Sequence, residues 1–116
     1  MSVEESALAA LADVPGVQGA LLVAVEDGLV IAEMVREGFD AAAAAALSAS
    51  LWGRMRRAAV AGGQRPPRFL QLEAEHGAVL VAPVDEAVLA VAVTTERTHR
   101  GVLRLRLLDL GGKGAG

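Results

Sequence analysis

The pattern of apolar and polar positions along the chain is dominated by one long helical segment at its centre. Residues 40–61, DAAAAAALSASLWGRMRRAAVA, contain no proline and consist mostly of strong helix formers. Asp40 can accept a backbone hydrogen bond as the N-cap, and Gly62 and Gly63 can end the helix in a left-handed conformation. Segments with strand propensity flank this region on both sides, so the rest of the chain is expected to pack around one central helix.

Two strands are predicted before the central helix and three after it. Residues 17–25 and 29–36 are joined by Glu26-Asp27-Gly28, a turn typical of a tight antiparallel hairpin. The three later strands are predicted at residues 68–75, 78–84 and 87–94. The runs at 17–25 and 88–93 are apolar on both faces, which predicts central positions in a sheet covered from two sides. Residues 68–75 alternate between apolar and polar, which is typical of a strand near an edge with one face buried.

Helical segments are predicted at both ends of the domain. Ser2 is a candidate N-cap for a helix at residues 2–13. Residues 102–110 fit either a strand or a helix, because their leucines alternate and also fall on one helical face; a helix is narrowly favoured. The predicted order is α-β-β-α-β-β-β-α, with a single domain over residues 1–110 and a disordered tail at 111–116.

Composition narrows the class of protein further. The chain has 116 residues, no cysteine and two histidines, so we expect one domain without disulfides, thiolate metal sites or a four-ligand zinc site. Hydrophobic residues make up 53% of the chain and aromatic residues 3%, which predicts a core of alanine, valine and leucine. The formal net charge of −3 is too small to drive binding to nucleic acid or to an anionic membrane. Without a signal-like N-terminus or an apolar run of spanning length, a cytoplasmic protein is expected.

Nucleotide-binding motifs are not recognisable in the sequence. The stretch GGQRPP at residues 62–67 lacks the Lys-Ser/Thr ending of a P-loop, and GGKGAG at 111–116 precedes no helix. Gly16-Val17-Gln18-Gly19 lacks the third glycine and the following helix of a dinucleotide fingerprint. No cofactor and no metal are therefore predicted.

The titratable and nucleophilic side chains suggest no catalytic arrangement either. His76 lies in a predicted turn and His99 at the start of the last helix, where solvated polar residues are common. Neither serine of the central helix has a base at helical spacing. Glu73 and Glu75 share one face of the predicted edge strand, where solvated charges that oppose aggregation are more common than an acid–base pair. An enzyme is not predicted.

The apolar residues of the central helix fall into two groups. Leu47, Leu51 and Met55 recur every four residues and are predicted to face the sheet. Ser48 and Trp52 lie on an adjacent face, about 100° further around the helix. Trp52 fits either the core or an anchor for another chain, because tryptophan is common in both settings.

Three arginines follow near the C-terminal end of the same helix. Arg54, Arg56 and Arg57 can complement the negative end of the helix dipole, which is the favoured interpretation. The alternative is an arginine-rich rim around a protein interface. Nucleic-acid binding is not expected, because neither interleaved aromatic residues nor a surplus of positive charge is present.

Several short motifs occur in the order and spacing of a known family. They are Leu8-x-x-Leu11, Val14-Pro15-Gly16-Val17-x-Gly19-Ala20-Leu21-Leu22-Val23, Asp27-Gly28, Glu75-x-Gly77-x-Val79-Leu80-Val81-x-Pro83-Val84, Leu89-Ala90-Val91 and Gly101-x-Leu103-Arg104-Leu105. Together with the alanine-rich helix they span residues 2–110, and the chain resembles the roadblock/dynein light-chain family. Among prokaryotic members it is similar to the gliding-motility GTPase-activating partner.

The resemblance implies an α+β fold related to profilin and longin domains. A five-stranded antiparallel sheet would carry the long helix on one face and the terminal helices, including the ambiguous last element, on the other. Family members commonly dimerise by pairing the strand after the long helix and by packing the two long helices antiparallel. The dimer interface expected from this resemblance comprises Arg68, Phe69, Leu70, Gln71, Leu72, Ser48 and Trp52. The expected partner-binding residues are Leu51, Trp52, Arg54 and Met55.

Two functions follow from the resemblance as expectations. Relatives are non-enzymatic platforms for small Ras-like GTPases or subunits of motor complexes. The first expectation is a homodimeric regulatory platform that binds a small Ras-like GTPase, with or without an effect on GTP hydrolysis. The second is a structural dimerisation or scaffold subunit of a larger complex without a GTPase partner, and a small-molecule sensor is a less favoured third. Membrane insertion is not expected.

Overall fold

The computed structural model describes residues 2–95 and 98–115, with side chains described as far as residue 111. The described residues form three helices and five strands in the predicted order. The elements are α1 Val3–Ala12, β1 Val17–Ala24, β2 Val30–Val35, α2 Ala41–Ala61, β3 Leu70–Ala74, β4 Gly77–Pro83, β5 Val88–Thr95 and α3 Arg100–Ala115.

The five strands form one antiparallel sheet in the order β2-β1-β5-β4-β3. Helix α2 packs on one face of this sheet, and α1 and α3 pack together on the other. The predicted α+β fold is therefore confirmed. β1 and β5 lie inside the sheet, as their apolar runs predicted, whereas β2 and β3 are its two edges.

The central strands contribute side chains to two separate hydrophobic cores, because successive residues of a strand point to opposite faces. In β1, Ala20 and Leu22 pack with residues of α1 and α3, whereas Leu21 and Val23 pack with residues of α2. All four side chains are at most 5% exposed. A strand covered on both faces needs an apolar residue at nearly every position, which explains the unbroken apolar pattern.

Side-chain caps and positive-φ glycines set the ends of the local elements. The Oγ atom of Ser2 accepts a hydrogen bond from the backbone N–H of Glu5 at 3.0 Å, which caps α1. Asp40 caps α2 in the same way, since its Oδ1 atom accepts from the N–H of Ala43 at 3.0 Å. In the β1–β2 turn, Gly28 has a φ of 72°, a backbone conformation that residues other than glycine rarely adopt. Both caps and this turn were predicted.

The last element is a helix, as the resemblance implied. The backbone N–H of Leu103 donates to the carbonyl oxygen of His99 at 3.1 Å, and the side chains of Leu103 and Leu107 are fully buried against the sheet. Helix α3 runs on to Ala115, beyond the predicted end of the domain at residue 110. Most of the predicted tail at 111–116 lies outside the described side chains, so the division between domain and tail stays a prediction.

The orientation predicted for α2 is wrong. Leu47 is 54% exposed and Met55 is 46% exposed, whereas Ala45, Ser48 and Trp52 face the sheet and are at most 4% exposed. Two small side chains let the helix lie close to the strands, and one tryptophan then buries more apolar area than any leucine could. The predicted stripe of Leu47, Leu51 and Met55 therefore lies on a flank of the helix.

Candidate protein interaction surface

One flank of α2 is apolar but is not covered by the rest of the described chain. Leu47, Leu51 and Met55 lie on one side of the helix, and we call these three residues the α2 flank. Leu47 and Met55 are exposed, and Leu51 is half-buried. Large apolar side chains that are exposed together commonly mark a protein interaction site.

Strand β3 leaves the same face of the sheet open. Among the strands described, β3 is the last in the order and pairs with β4 alone. In the strand register Leu72 lies opposite Val79, and Val79 lies opposite Val93. This apolar row is only partly covered, since Leu72 is 38% exposed and the two valines are half-buried. The reason is that α2 packs mainly on β1, β2 and β5 and leaves the β3 side of the face uncovered.

The prediction that β3 buries one face therefore holds at only one end of the strand in a single chain. Leu70 packs with the α2 core, but Leu72 and Ala74 on the same face are exposed. Apolar residues on an open edge strand favour pairing with a further strand, because both the backbone groups and the side chains lack partners. The α2 flank and the open β3 edge together form the candidate interaction surface.

Two of the predicted contact residues are buried inside their own chain. Ser48 is 1% exposed and Trp52 is 4% exposed, and Trp52 belongs to the α2 core. Ser48 has almost no accessible surface, and the small accessible part of Trp52 lies in the cleft described below, so the dimer proposed below uses neither side chain. The alternative in which Trp52 is a core residue is the correct one.

The remaining predicted dimer residues are divided between the two faces of the sheet. Phe69 packs with the α1 and α3 core, and the guanidinium carbon of Arg104 lies 5.2 Å from its ring centroid. Gln71 donates from its Nε2 atom to Oε1 of Glu73 at 2.9 Å. Arg68 is exposed and precedes β3 by two residues, outside the strand predicted to include it. Only Leu70 and Leu72 among them share the face that carries α2.

The carboxylates that were considered as a catalytic pair have separate partners. Glu73 forms an ion pair with Arg100 at the start of α3, in addition to its hydrogen bond with Gln71. Glu75 lies in the β3–β4 turn, where its Oε1 atom is 3.7 Å from Nε2 of His76. Within the described ranges, no group of three or more His, Cys, Asp or Glu side chains could hold a metal ion. None of the helices described is long and apolar enough to cross a membrane.

The arginines of α2 are exposed and do not lie at the end of the helix. Arg54, Arg56 and Arg57 all precede the last turn, which contains no basic residue. A helix dipole acts on charges mainly within the terminal turn, so the favoured dipole interpretation of these arginines is weakened. Arg54 is exposed beside the α2 flank and suits the alternative, a charged rim around a protein interface, whereas Arg56 and Arg57 lie on the side of α2 next to the β1–β2 turn.

An open cleft that the sequence did not reveal lies at one end of the sheet. Its volume is about 620 Å³, and its walls come from α2, the segment before β3, the β4–β5 turn and the end of α3. The side chains of Trp52, Pro66 and Pro67 supply apolar wall, and Arg56 and Arg68 supply positive charge. These residues are distant in sequence, so no local motif could have predicted the cleft.

Similar proteins are found both by sequence and by structure. An uncharacterized protein of Methanocaldococcus jannaschii is 29% identical over 92 residues, which are 79% of this chain and 79% of that protein. A Roadblock/LC7 domain from Streptomyces avermitilis has a similar fold, with a TM-score of 0.82, 21% identity, and coverage of 93% of this chain and 91% of that one.

Two structures of MglB proteins share the fold at lower identity. The gliding protein MglB from Thermus thermophilus gives a TM-score of 0.78 at 19% identity, covering 96% of this chain and 87% of that chain. A structure described as MglB with a tetrameric arrangement gives 0.76 at 20% identity, covering 95% and 88%. These likenesses establish the fold.

The family is established by a sequence model. The model of the Roadblock/LC7 domain matches residues 4–93, which extend from α1 through most of β5 and include both the α2 flank and β3. Proteins of this family are generally non-catalytic regulatory or adaptor proteins. This chain belongs to the Roadblock/LC7 domain family.

Proposed function

We propose that this protein is a non-catalytic, homodimeric regulatory platform that binds a small Ras-like GTPase. The observation that carries the proposal is the open apolar surface formed by the α2 flank and the β3 edge. Family membership and the fold shared with the gliding protein MglB support a regulatory role. The GTPase is the partner class expected from the resemblance described above.

The proposed dimer pairs β3 with the β3 strand of a second copy about a two-fold axis. Such pairing would continue the sheet from one copy into the next, and the backbone N–H and C=O groups at the edge of each β3 strand would gain hydrogen-bond partners. It would also cover Leu72 and bring the two α2 helices side by side, so that each α2 flank gains apolar neighbours. Leu70 and Leu72 are the predicted dimer residues that this arrangement uses on the α2 side.

The proposed GTPase contacts lie on α2 further from the sheet. Leu51, Arg54 and Met55 remain from the predicted partner set after Trp52 is removed. Arg54 is rotated about 60° beyond Leu51, away from the buried side of the helix. In a dimer the two copies of Arg54 would therefore lie on the outer surface of the paired helices, next to apolar side chains.

Light scattering of the purified protein tests the dimer. We expect a mass of twice 11.9 kDa for the wild type at micromolar concentration. Leu72→Asp should yield the monomer, because it places a charge in the apolar row beside the edge. Leu105→Asp is the matched control, since Leu105 is 69% exposed on α3. A monomeric wild type, or a dimer that survives Leu72→Asp, contradicts the proposed interface.

Binding to the small Ras-like GTPases encoded in the same genome tests the partner. Each GTPase is loaded with GDP or with a non-hydrolysable GTP analogue and measured by calorimetry against wild type, Arg54→Glu and Arg36→Glu. We expect Arg54→Glu to lose binding while its dimer mass is unchanged, and Arg36→Glu, a charge-matched change on the β2 side, to retain it. If no GTPase binds an intact dimer, the GTPase platform is contradicted, and the function of a scaffold subunit without a GTPase partner is supported instead.

A further inference from the structure

The positive charges of this acidic protein are concentrated in one part of the chain. The chain has eleven basic and fourteen acidic residues. Five of the basic residues and none of the acidic ones lie between residues 41 and 72, so the rest has six basic residues against fourteen acidic ones. The small net charge therefore conceals a strong local surplus on α2 and the segment that follows it.

The five arginines are accessible. Arg54, Arg56, Arg57, Arg65 and Arg68 are all exposed, and we call them the arginine strip. Within the described part of the chain none of them forms an ion pair, whereas Arg100 pairs with Glu73. Arginine side chains without partners are available to bind carboxylates, and a planar guanidinium can bind a carboxylate through two hydrogen bonds.

Two residues of the arginine strip border the cleft at the end of the sheet. Arg56 and Arg68 are both among its lining residues, together with the apolar surfaces of Trp52, Pro66 and Pro67. A volume of about 620 Å³ accommodates a large apolar side chain with its neighbouring backbone. Arg56 and Arg68 thus place positive charge beside one apolar cavity.

We propose that the arginine strip and its cleft bind an acidic linear segment of a partner protein, with one apolar side chain of that segment inside the cleft. Carboxylates on either side of the apolar residue pair with the arginines, and the buried side chain fixes the register. Aromatic and large aliphatic residues provide such anchors at protein interfaces. The inference goes beyond the proposed function, because the acidic segment need not belong to a GTPase.

Two carboxylates border the cleft and bear on its specificity. The Oδ1 atom of Asp85 accepts hydrogen bonds from the backbone N–H groups of Ala87 and Val88, at 2.8 and 3.0 Å, so this carboxylate is held in the β4–β5 turn. Glu86 is exposed beside it. A negative charge at this position opposes an acidic ligand, and its removal should therefore strengthen binding.

The same features argue against two other anionic partners. An anionic membrane surface would be repelled by Asp85 and Glu86, which line the same cleft as Arg56 and Arg68. Single-stranded nucleic acid binds through exposed aromatic platforms, but Trp52 is 4% exposed and Phe69 packs in the α1 and α3 core. A polypeptide can supply both the carboxylates and a side chain of the right size.

Fluorescence anisotropy with synthetic peptides tests the proposal. The probe is a short polyglutamate peptide with one central leucine. Two peptides of the same length serve for comparison: in the first, serine replaces the leucine, and in the second, lysines replace the glutamates. We expect the leucine peptide to bind most tightly, the serine peptide to bind on the order of tenfold more weakly, and the lysine peptide not to bind. Raising the salt concentration should weaken binding, because exposed charges are screened.

Variants of the full chain distinguish binding of the peptide in the cleft from general attraction between opposite charges. Arg56→Glu should lower the affinity for the leucine peptide by on the order of tenfold. Glu86→Gln should raise it about twofold, in the range of an exposed charge pair. Arg36→Glu makes the same charge change as Arg56→Glu outside the strip and should leave the affinity unchanged. Circular dichroism checks that each variant is folded.

Three results would overturn the proposal. The first is equal affinity for the leucine and serine peptides, which would mean that the cleft takes no anchor. The second is equal loss in Arg36→Glu and Arg56→Glu, which would mean that only overall charge matters. The third is binding to phosphatidylglycerol vesicles with no binding to the peptide, which would assign the strip to a membrane surface. None of these results depends on whether a GTPase binds.

Discussion

The two faces of the sheet are covered to different degrees, and the difference locates the surface available for function. On one face α1 and α3 form a closed core, in which Leu8, Leu11, Leu103 and Leu107 are at most 1% exposed. On the other face a single helix packs mainly on β1, β2 and β5 and leaves Leu72 and the α2 flank open. One helix is narrower than the sheet, so this face remains incomplete in a single chain.

The comparison also separates residues that support the fold from residues that are free to bind. The closed face contains the large aliphatic side chains of two helices. On the open face α2 presents alanines and serine to the strands, and Trp52 is its one large buried side chain. Stability on that face should therefore depend strongly on Trp52, while recognition depends on residues of the flank.

The largest effect is expected for Trp52→Ala. Removing the ring leaves a cavity between α2 and the sheet, and such substitutions cost about 3–5 kcal/mol of unfolding free energy. Val60→Ala is the control on the same helix, because Val60 is 55% exposed and its truncation should change stability by less than about 0.5 kcal/mol. Urea unfolding at fixed protein concentration measures both. Equal losses would mean that Trp52 does not hold α2 on the sheet.

The sequence predicted the parts of the fold that depend on local chemistry. The caps at Ser2 and Asp40 require a side-chain oxygen at the first turn, and the turn at Gly28 requires a positive φ. The central position of β1 and β5 follows from apolar residues on both faces of each strand. Each of these features is encoded within a few neighbouring residues.

The orientation of α2 could not be predicted in the same way. A helical stripe of Leu47, Leu51 and Met55 has the composition of a buried face, and an interaction surface of this size has the same composition. Small residues such as Ala45 and Ser48 do not indicate burial in a sequence, yet they are the ones that let α2 approach the sheet. Only the packing of the whole chain distinguishes the two faces.

The cleft and the division of roles among the predicted site residues were likewise outside the reach of the sequence. Phe69 lies next to Leu70 in the chain, but the two side chains belong to different cores. Arg56 and Arg68 are separated in the chain by the helix end and two prolines, yet both line the same cleft. Contacts of this kind depend on tertiary structure.

A smaller effect is expected where α2 passes over the β1–β2 turn. A Cβ atom at Gly28 would lie 3.4 Å from Cα of Ala46 and from Cβ of Ala49, whereas a Cβ at Gly38 would meet nothing within 4 Å. Both glycines have positive φ, so a substitution strains both backbones similarly. Gly28→Val should therefore lose about 1–3 kcal/mol more unfolding free energy than Gly38→Val, because the valine side chain meets α2 at position 28 and meets nothing at position 38. Equal losses in thermal unfolding would mean that α2 can move away from the turn.

The smallest effect has the opposite sign and concerns Ser48. Its hydroxyl oxygen is buried between α2 and the sheet and has no hydrogen-bond partner among the described residues. Ser48→Ala removes that buried polar group and adds a better helix former, so we expect a gain of about 1 kcal/mol in unfolding free energy. Ser50→Ala is the matched control, because Ser50 is exposed on the same helix and gains only the helix propensity.

The mass of the Ser48→Ala protein should equal that of the wild type, since Ser48 faces its own sheet and not a second copy. A loss of stability or of the dimer would show that the hydroxyl has a partner, and Ser48 would then return to the interface on the open face.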